Sequence, residues 1–356
     1  MVDPIMIGIL GTASIADSVI EGASKSSLVR ITAVAGRDPE RTENWARPRR
    51  IPHAFDGYQA LLDSGAVDAV YIPLPNSLHL EWALRAIEAG LPVLVEKPAC
   101  TSKTAAMRLR DASIAAGVPV MEAFMYRFHP LWAEVANIIS SGRIGEVRTI
   151  ESRFSWACDD PDSGPALAGL AGGALFDVGC YCVHMSRMIA GCEPSRAAAF
   201  ERRGFRQAGY KELGFGSRNN VDDTMVGLLD FPNGVLAHFE TSISSFERHG
   251  ATICGSKGAV TIDRPWLQDC VPCVITLIDD DGRTLVRIPP ADTYQMELEA
   301  FAALIQACRR DRALTAGARA AADDMVNNAA ALDALFVSAA RRSHDGNSSV
   351  DKHPVT

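Results

Sequence analysis

Apolar positions follow two regimes along the chain. Up to about residue 122, short runs rich in Val and Ile ("PIMIGIL", "VRITAVAG", "AVDAVYIPLP", "LPVLVEKP", "VPVMEAF") alternate with stretches such as "SLHLEWALRAIEAG", whose apolar residues recur at helical spacing. Near-continuous runs of that length suit strands buried on both faces. Strands alternating with helices predict a parallel sheet covered on both sides. Beyond residue 122 a helix-like "PLWAEVANIISSG" leads into longer alternating runs, "EVRTIESRFSWA", "TMVGLLDF", "GVLAHFETSIS", "GAVTID" and "CVITLIDDDG", with turn signals at "FPNG" and "DDDG". A period of two predicts a mostly antiparallel sheet with one covered face. "TYQMELEAFAALIQAC" and "AGARAAADDMVNNAAALDALFVSAARR" read as helices. The expected organisation is an α/β domain over 1–122, an α+β domain over 123–342 and a disordered polar tail, "SHDGNSSVDKHPVT", over 343–356. No internal repeat is found.

Composition narrows the function. A formal net charge of −8 without a long basic block argues against nucleic acid, which needs clustered Lys and Arg to neutralise phosphates. The start "MVDPIMIGILGTASIAD" fits neither a membrane span nor a secretory signal, so a cytoplasmic protein with a small-molecule partner is expected. The nine cysteines are scattered, and the single CxxC, Cys270 with Cys273, lacks the further ligands a structural zinc needs. Reduced thiols and no metal are expected.

Candidate chemistry begins at "GILGTASIA". Gly11, Ala13 and Ala16 stand at the spacing of a dinucleotide-binding turn between a strand and a helix. Gly11, Thr12, Ala13, Ser14 and Ile15 are therefore candidate cofactor contacts, although alanine replaces the middle glycine. At the end of the second strand, "AVAGRDPER" offers Arg37 and Arg41 to a ribose 2′-phosphate. That favours NADP(H), with NAD(H) open through Asp38, which serves equally well as the cap of a helix starting at Pro39.

Two more strand ends carry polar groups. In "YIPLPNSLH", Pro73 and Pro75 stop the strand and Asn76 is placed to cap the next helix, with His79 in that helix's first turn. Leu74, Asn76 and His79 join the cofactor set, a packing histidine being the alternative for His79. In "LPVLVEKPACT", Glu96 and Lys97 form either a solvated strand-end ion pair or a working pair. In the second case Glu96 holds a ribose hydroxyl and Lys97, beside the nicotinamide, gives or takes a proton. Carboxyl ends of parallel strands converge on one crevice, which favours the working pair.

A further constellation lies in "GGALFDVGCYCVHMSRMI", residues 172–189. If this stretch is helical, Asp177, Tyr181 and His184 fall on one face, as a substrate-binding stripe or as a structural hydrogen-bond network.

Taken together, "GILGTASIA", "PLPNSLH", "VEKP", "MEAFMYRFHP", "SGRIGEVRTI" and "GGALFDVGCYCVH" resemble the Gfo/Idh/MocA oxidoreductase family, in its order and over nearly the whole chain. The resemblance implies an N-terminal Rossmann domain and a C-terminal domain with a large, mostly antiparallel sheet. It implies hydride transfer between a nicotinamide cofactor and a sugar or cyclic polyol, and homodimers or homotetramers made through that sheet. It makes Lys97 the catalytic lysine and Asp177 the acidic residue of the substrate helix. Tyr126 and Arg127, within "MEAFMYRFHP", join Lys97, Asp177, Tyr181 and His184 as substrate-binding candidates. The form "DVGCY" is similar to the branch with glucose-fructose oxidoreductase, dimeric dihydrodiol dehydrogenase, xylose dehydrogenase and 3-ketosugar reductases, where the tyrosine exchanges the hydroxyl proton. Relatives of this branch often carry an arginine before the glycine run. Here no Lys or Arg occurs between Arg153 and Arg187, which points to a neutral or cationic sugar and leaves Asp159, Asp160 and Asp162 as contacts for an amino sugar or as a solvated loop. A non-catalytic NAD(P) sensor and a dihydrodiol-type dehydrogenase are the competing functions.

Overall fold

In the computed structural model, residues 3–204, 219–266 and 272–345 are described. The Val- and Ile-rich runs and their helices follow in strict alternation. They are β1 (Ile5–Leu10), α1 (Ala16–Lys25), β2 (Val29–Gly36), α2 (Pro39–Ala46), β3 (His53–Asp56), α3 (Tyr58–Leu62), β4 (Ala69–Ile72), α4 (Asn76–Glu88), β5 (Val93–Glu96), α5 (Lys103–Ala116) and β6 (Val120–Ala123). The six strands pair in parallel in the order β3-β2-β1-β4-β5-β6. This is a Rossmann sheet, whose winding reverses between β1 and β4 and so opens a crevice at the strands' carboxyl ends. Strand parity sorts the two covered faces. Ile5, Ile7, Ile9 and Tyr71 pack with Val19 and Ala23 of α1, while Val70, Ile72, Val93 and Val95 pack with Ala83, Ala86 and Ile87 of α4.

After α6 (Pro130–Ser140) and β7 (Val147–Ala157), a π-helical turn at Leu175–Gly179 runs directly into α7 (Cys180–Ala190). The remaining strands are β8 (Arg196–Arg203), β9 (Asp222–Asp230), β10 (Leu236–Ser242), β11 (Ser244–Gly255), β12 (Ala259–Ile262), β13 (Cys273–Asp279) and β14 (Gly282–Ile288). Together with β7 they form an eight-stranded sheet in the order β14-β13-β12-β11-β7-β10-β9-β8. β7 pairs with β10 in parallel and with β11 antiparallel, and β8–β9, β9–β10 and β11–β12 are antiparallel. One face is covered, as the period of two predicts: Ile150, Phe154, Met225, Leu229, Phe239 and Thr241 are buried, whereas Phe200, Val226, Leu228 and Leu236 are exposed.

The two C-terminal helices, α8 (Thr293–Asp311) and α9 (Ala316–Asp345), return in part to the first domain. Leu298, Phe301, Ala302 and Ile305 of α8 join the β1 face, and Ala322, Met325, Val326 and Ala329 of α9 join the β4 face. The first compact unit therefore comprises Met1–Ile138, Arg264–Thr276 and Leu285–Ala329, which is wider than 1–122. The second comprises Ile139–Asp263, Leu277–Thr284 and Ala330–Thr356. α9 continues to Asp345, so 343–345 are helical and not the start of a tail. The rest of the expected tail, and Cys270 of the CxxC, lie outside the described residues. Among the described residues no helix is long and apolar enough to cross a membrane.

Candidate active site

In the first unit, Gly11 directly follows β1. Its φ of +109° suits glycine, and a Cβ there would sit 3.0 Å from Leu74 Cδ2. Its amide donates to the Ala35 carbonyl of β2 at 2.8 Å. Thr12, Ala13 and Ile15 are half-buried and Ser14 is exposed in the turn that follows. No side chain caps α1, whose cap position is Ile15, so the turn offers backbone amides and the positive end of a helix to an anion. A tight glycine turn beside Leu74 and an uncapped helix fit a dinucleotide pyrophosphate. At the end of β2, Asp38 Oδ1 accepts from the Arg41 amide at 2.9 Å and caps α2, which Pro39 opens. Arg37 and Arg41 are exposed there. Burial pushes the Tyr58 phenol up in pKa, and the neighbouring Arg37 guanidinium pulls it down.

Two expectations at the next strand end change. Asn76 is the first residue of α4 with Pro75 at the cap position, so it makes no side-chain cap. His79 is completely buried, with Nδ1 2.9 Å from the Pro98 carbonyl and Nε2 2.6 Å from the Leu74 carbonyl. Each ring nitrogen faces a backbone carbonyl, to one of which the neutral imidazole can donate, and the buried His79 links the loop after β4 to the loop after β5. Burial lowers its pKa, the two carbonyls oppose that, and the Lys97 charge adds to it.

Glu96 closes β5. Its Oε1 accepts from the Tyr71 hydroxyl at 2.7 Å and its Oε2 from the Lys97 amide at 3.2 Å. Tyr71 pairs with Leu94, two residues before Glu96, so the phenol and the carboxylate share a face. Burial raises the Glu96 pKa, against the Lys97 charge and the Tyr71 hydroxyl. A carboxylate has about four acceptor sites, so these two bonds leave capacity for a ribose hydroxyl. Glu297 of α8, which sequence reading missed, is 1% exposed. Its Oε1 has no hydrogen-bond partner among the described residues. Burial holds its pKa well above the carboxylate range, and the neighbouring Glu96 adds to the effect. Tyr126 is corrected from substrate contact to core: it is fully buried, with its ring 6.1, 5.5 and 5.6 Å from those of Phe124, Trp132 and Trp266. Arg127 pairs with Asp324 of α9 at 3.0 Å.

In the second unit, Asp177 lies in the π-helical turn, and Tyr181 and His184 lie in α7. The wide first turn puts Asp177 outside the α-helical phase assumed for the stripe. Even-numbered residues of β7 meet the stripe nonetheless: Trp156 Nε1 donates to Asp177 Oδ2 at 2.9 Å, and the Phe154 ring lies 5.4 Å from that of Tyr181. Asp177 is half-buried, Tyr181 is 7% exposed and His184 is 2% exposed, so His184 belongs to the helix's packing and not to an open surface.

The turn is pinned from neighbouring strands. Thr241 Oγ1 donates to the Ala174 carbonyl at 3.2 Å, and Asp222 Oδ2 accepts from the Leu175 amide at 2.7 Å. Gly173, at φ +117°, lets that carboxylate approach, since a Cβ would lie 2.0 Å from Asp222 Oδ1. Burial pushes the Asp222 pKa up to about 7, opposed by the Leu175 amide and aided by the Glu201 charge. The folded state therefore keeps a proton that the unfolded chain loses near the model-peptide value of about 3.9. Stability is greatest below that pH and falls as pH rises towards about 7, by up to about 1.4 kcal/mol per pH unit. Asp222→Asn keeps an acceptor for the amide and removes the titration, so denaturant unfolding across this window should show a shallower pH dependence in the variant.

Comparison with known proteins adds the following. Residues 5–124 match the oxidoreductase family with an NAD-binding Rossmann fold, and residues 132–261 match the GFO/IDH/MocA C-terminal domain. D-xylose 1-dehydrogenase (NADP(+)) 2 of Haloferax volcanii is 35% identical over 303 residues, 85% of this chain and 89% of the relative. The dTDP-3,4-didehydro-2,6-dideoxy-alpha-D-glucose 3-reductase of Actinomadura kijaniata is 32% identical over 312 residues, 84% of this chain and 87% of the relative. Among solved structures, KijD10, a 3-ketoreductase from Actinomadura kijaniata in complex with NADP and TDP-benzene, superposes with a TM-score of 0.84. Its identity is 27%, over 94% of this chain and 98% of that one.

Proposed function

The chain belongs to the GFO/IDH/MocA oxidoreductase family, and from that premise we propose that it is an NADP(H)-dependent enzyme moving a hydride between nicotinamide C4 and a secondary alcohol or ketone of a sugar, sugar derivative or cyclic polyol. One observation carries the reading: the chain keeps a lysine, a carboxylate and a phenol suited to proton transfer, at Lys97, Asp177 and Tyr181. A protein that only senses a nucleotide needs none of them. The turn Gly11–Ile15 with Leu74 would hold the pyrophosphate, Arg37 and Arg41 the 2′-phosphate, and Asn76, Glu96 and Lys97 the nicotinamide end. The bound cofactor supplies the hydride donor or acceptor.

The chain's own residues handle the rest. In the reducing direction Tyr181 gives its hydroxyl proton to the carbonyl oxygen as that carbon gains hydride, and in the oxidising direction the phenolate takes the proton back. The Lys97 ammonium stabilises the negative charge on whichever oxygen carries it. Asp177 accepts from substrate hydroxyls and fixes which carbinol reacts. The segment from Asp159 to Ala171 has three Asp and no Lys or Arg, which supports a neutral or cationic sugar. On the sheet's open face Phe200 is 60% exposed and pairs with Val226, itself 48% exposed. Leu228 and Leu236, each 53% exposed, are further exposed apolar residues of that face. We read it as the contact between copies, with a mass in solution of two or four chains as its check.

Titration of the protein's fluorescence with NADPH and NADH, then turnover of neutral sugars, cyclic polyols and an aromatic dihydrodiol, tests the reading. Tighter binding of NADPH with oxidation of a sugar or polyol is expected. Binding without any turnover would favour a sensor, and turnover of the dihydrodiol alone would move the substrate class.

A further inference from the structure

We propose that Trp156 is a positioning residue for substrate recognition, holding the Asp177 carboxylate through its indole N–H; the inference rests on the proposed role of Asp177. Residues 154 and 156 of β7 are two apart and so point to the same face of the sheet, the face that meets the π-helical turn and α7. Trp156 thus meets Asp177, and Phe154 meets Tyr181. The second contact is apolar packing of one ring on another. The first is a directed bond of 2.9 Å from the indole Nε1 to Asp177 Oδ2, between two half-buried side chains.

That bond has chemical consequences for a residue meant to read hydroxyls. Indole is a donor only, so the bond engages one carboxylate oxygen and hinders rotation of the group about its Cβ–Cγ bond. The backbone beneath is fixed independently by Asp222 at the Leu175 amide and by Thr241 at the Ala174 carbonyl. Trp156 acts on the Asp177 side chain itself, on the rotation that bears on how the carboxylate meets a sugar hydroxyl. Phenylalanine at 156 would remove the donor together with the five-membered ring, and the comparison on the Asp177→Ala background separates the lost bond from the lost packing.

The test is a cycle of Trp156→Phe, Asp177→Ala and the double variant, with D-xylose and D-glucose as probes at saturating NADP+. Trp156→Phe should raise KM about tenfold and lower kcat less than about threefold, the signature of lost uniform binding. Asp177→Ala should raise KM at least as far, and Trp156→Phe should add nothing on that background, because the donor acts only through the carboxylate. An unchanged KM in Trp156→Phe, or a full further rise in the double variant, overturns the inference and leaves the proposed function intact. An unchanged KM in Asp177→Ala, or no turnover of either sugar by the unmodified protein, overturns the role of Asp177 and the inference with it. Should Trp156→Phe fail to fold, the indole N–H resonance of Trp156 gives a second reading: it should be slow to exchange and should move in Asp177→Ala. A fast-exchanging resonance indifferent to that change overturns the proposal.

Discussion

Lys97→Ala is expected to lower kcat/KM by about 10³ to 10⁴, the upper range for loss of a group that assists proton transfer. The lysine follows Glu96 at the end of β5, and its own backbone amide donates to Glu96 Oε2 at 3.2 Å. That bond does not involve the side chain, so the alanine variant keeps it, and NADPH affinity should fall no more than about a hundredfold, the upper worth of one hydrogen bond to a charged group. Separate measurement of kcat, KM and NADPH affinity checks this. A variant that loses cofactor binding and keeps kcat would make Lys97 a cofactor anchor and not part of the chemistry.

Tyr181→Phe is expected to lower kcat by about 10² to 10³ with little change in the thermal midpoint. The side chain packs against Phe154 at 5.4 Å and is 7% exposed, so a phenyl ring of nearly equal volume keeps the contact. The hydroxyl is lost, oxygen and exchangeable proton together. The kcat profile against pH should lose the limb that belongs to that proton, whereas a purely structural tyrosine would leave its shape alone. Steady-state rates across the pH range with both proteins distinguish the two cases.

Much of the fold is legible in the sequence because its central strands are buried on one or both faces. The missed strands show what the pattern depends on. β3, β8 and β14 are three of the four sheet edges, and their residues are mostly half-buried or exposed, so no continuous or alternating apolar run announces them. β11 is interior, but Glu247, Arg248, His249 and Gly250 interrupt its apolar pattern. The return of α8 and α9 to the first unit was equally hidden, since periodicity shows that a helix has an apolar face and not which sheet that face covers.

Candidate residues stand out in the sequence where chemistry and local spacing coincide, as at Gly11, Glu96, Lys97 and Asp177. They are hidden where partners are remote in sequence. Trp156 lies 21 residues from Asp177, and Tyr71 lies 25 from Glu96. Parity along paired strands was the available signal for Tyr71, because β4 and β5 are neighbours and both side chains point to one face. Tyr126 and His79 show the converse: polar side chains in suggestive motifs whose polar atoms or bulk the core has already taken.

The most direct measurement is isotope transfer. NADPH carrying deuterium at nicotinamide C4, in each stereochemical position in turn, is incubated with the protein and a panel of neutral ketosugars, and the products are read by mass spectrometry. One deuterium on the new carbinol carbon, from one of the two positions only and absent with Lys97→Ala, is the expected result. Protein saturated with the labelled cofactor that leaves every ketosugar unlabelled would contradict hydride transfer to a sugar.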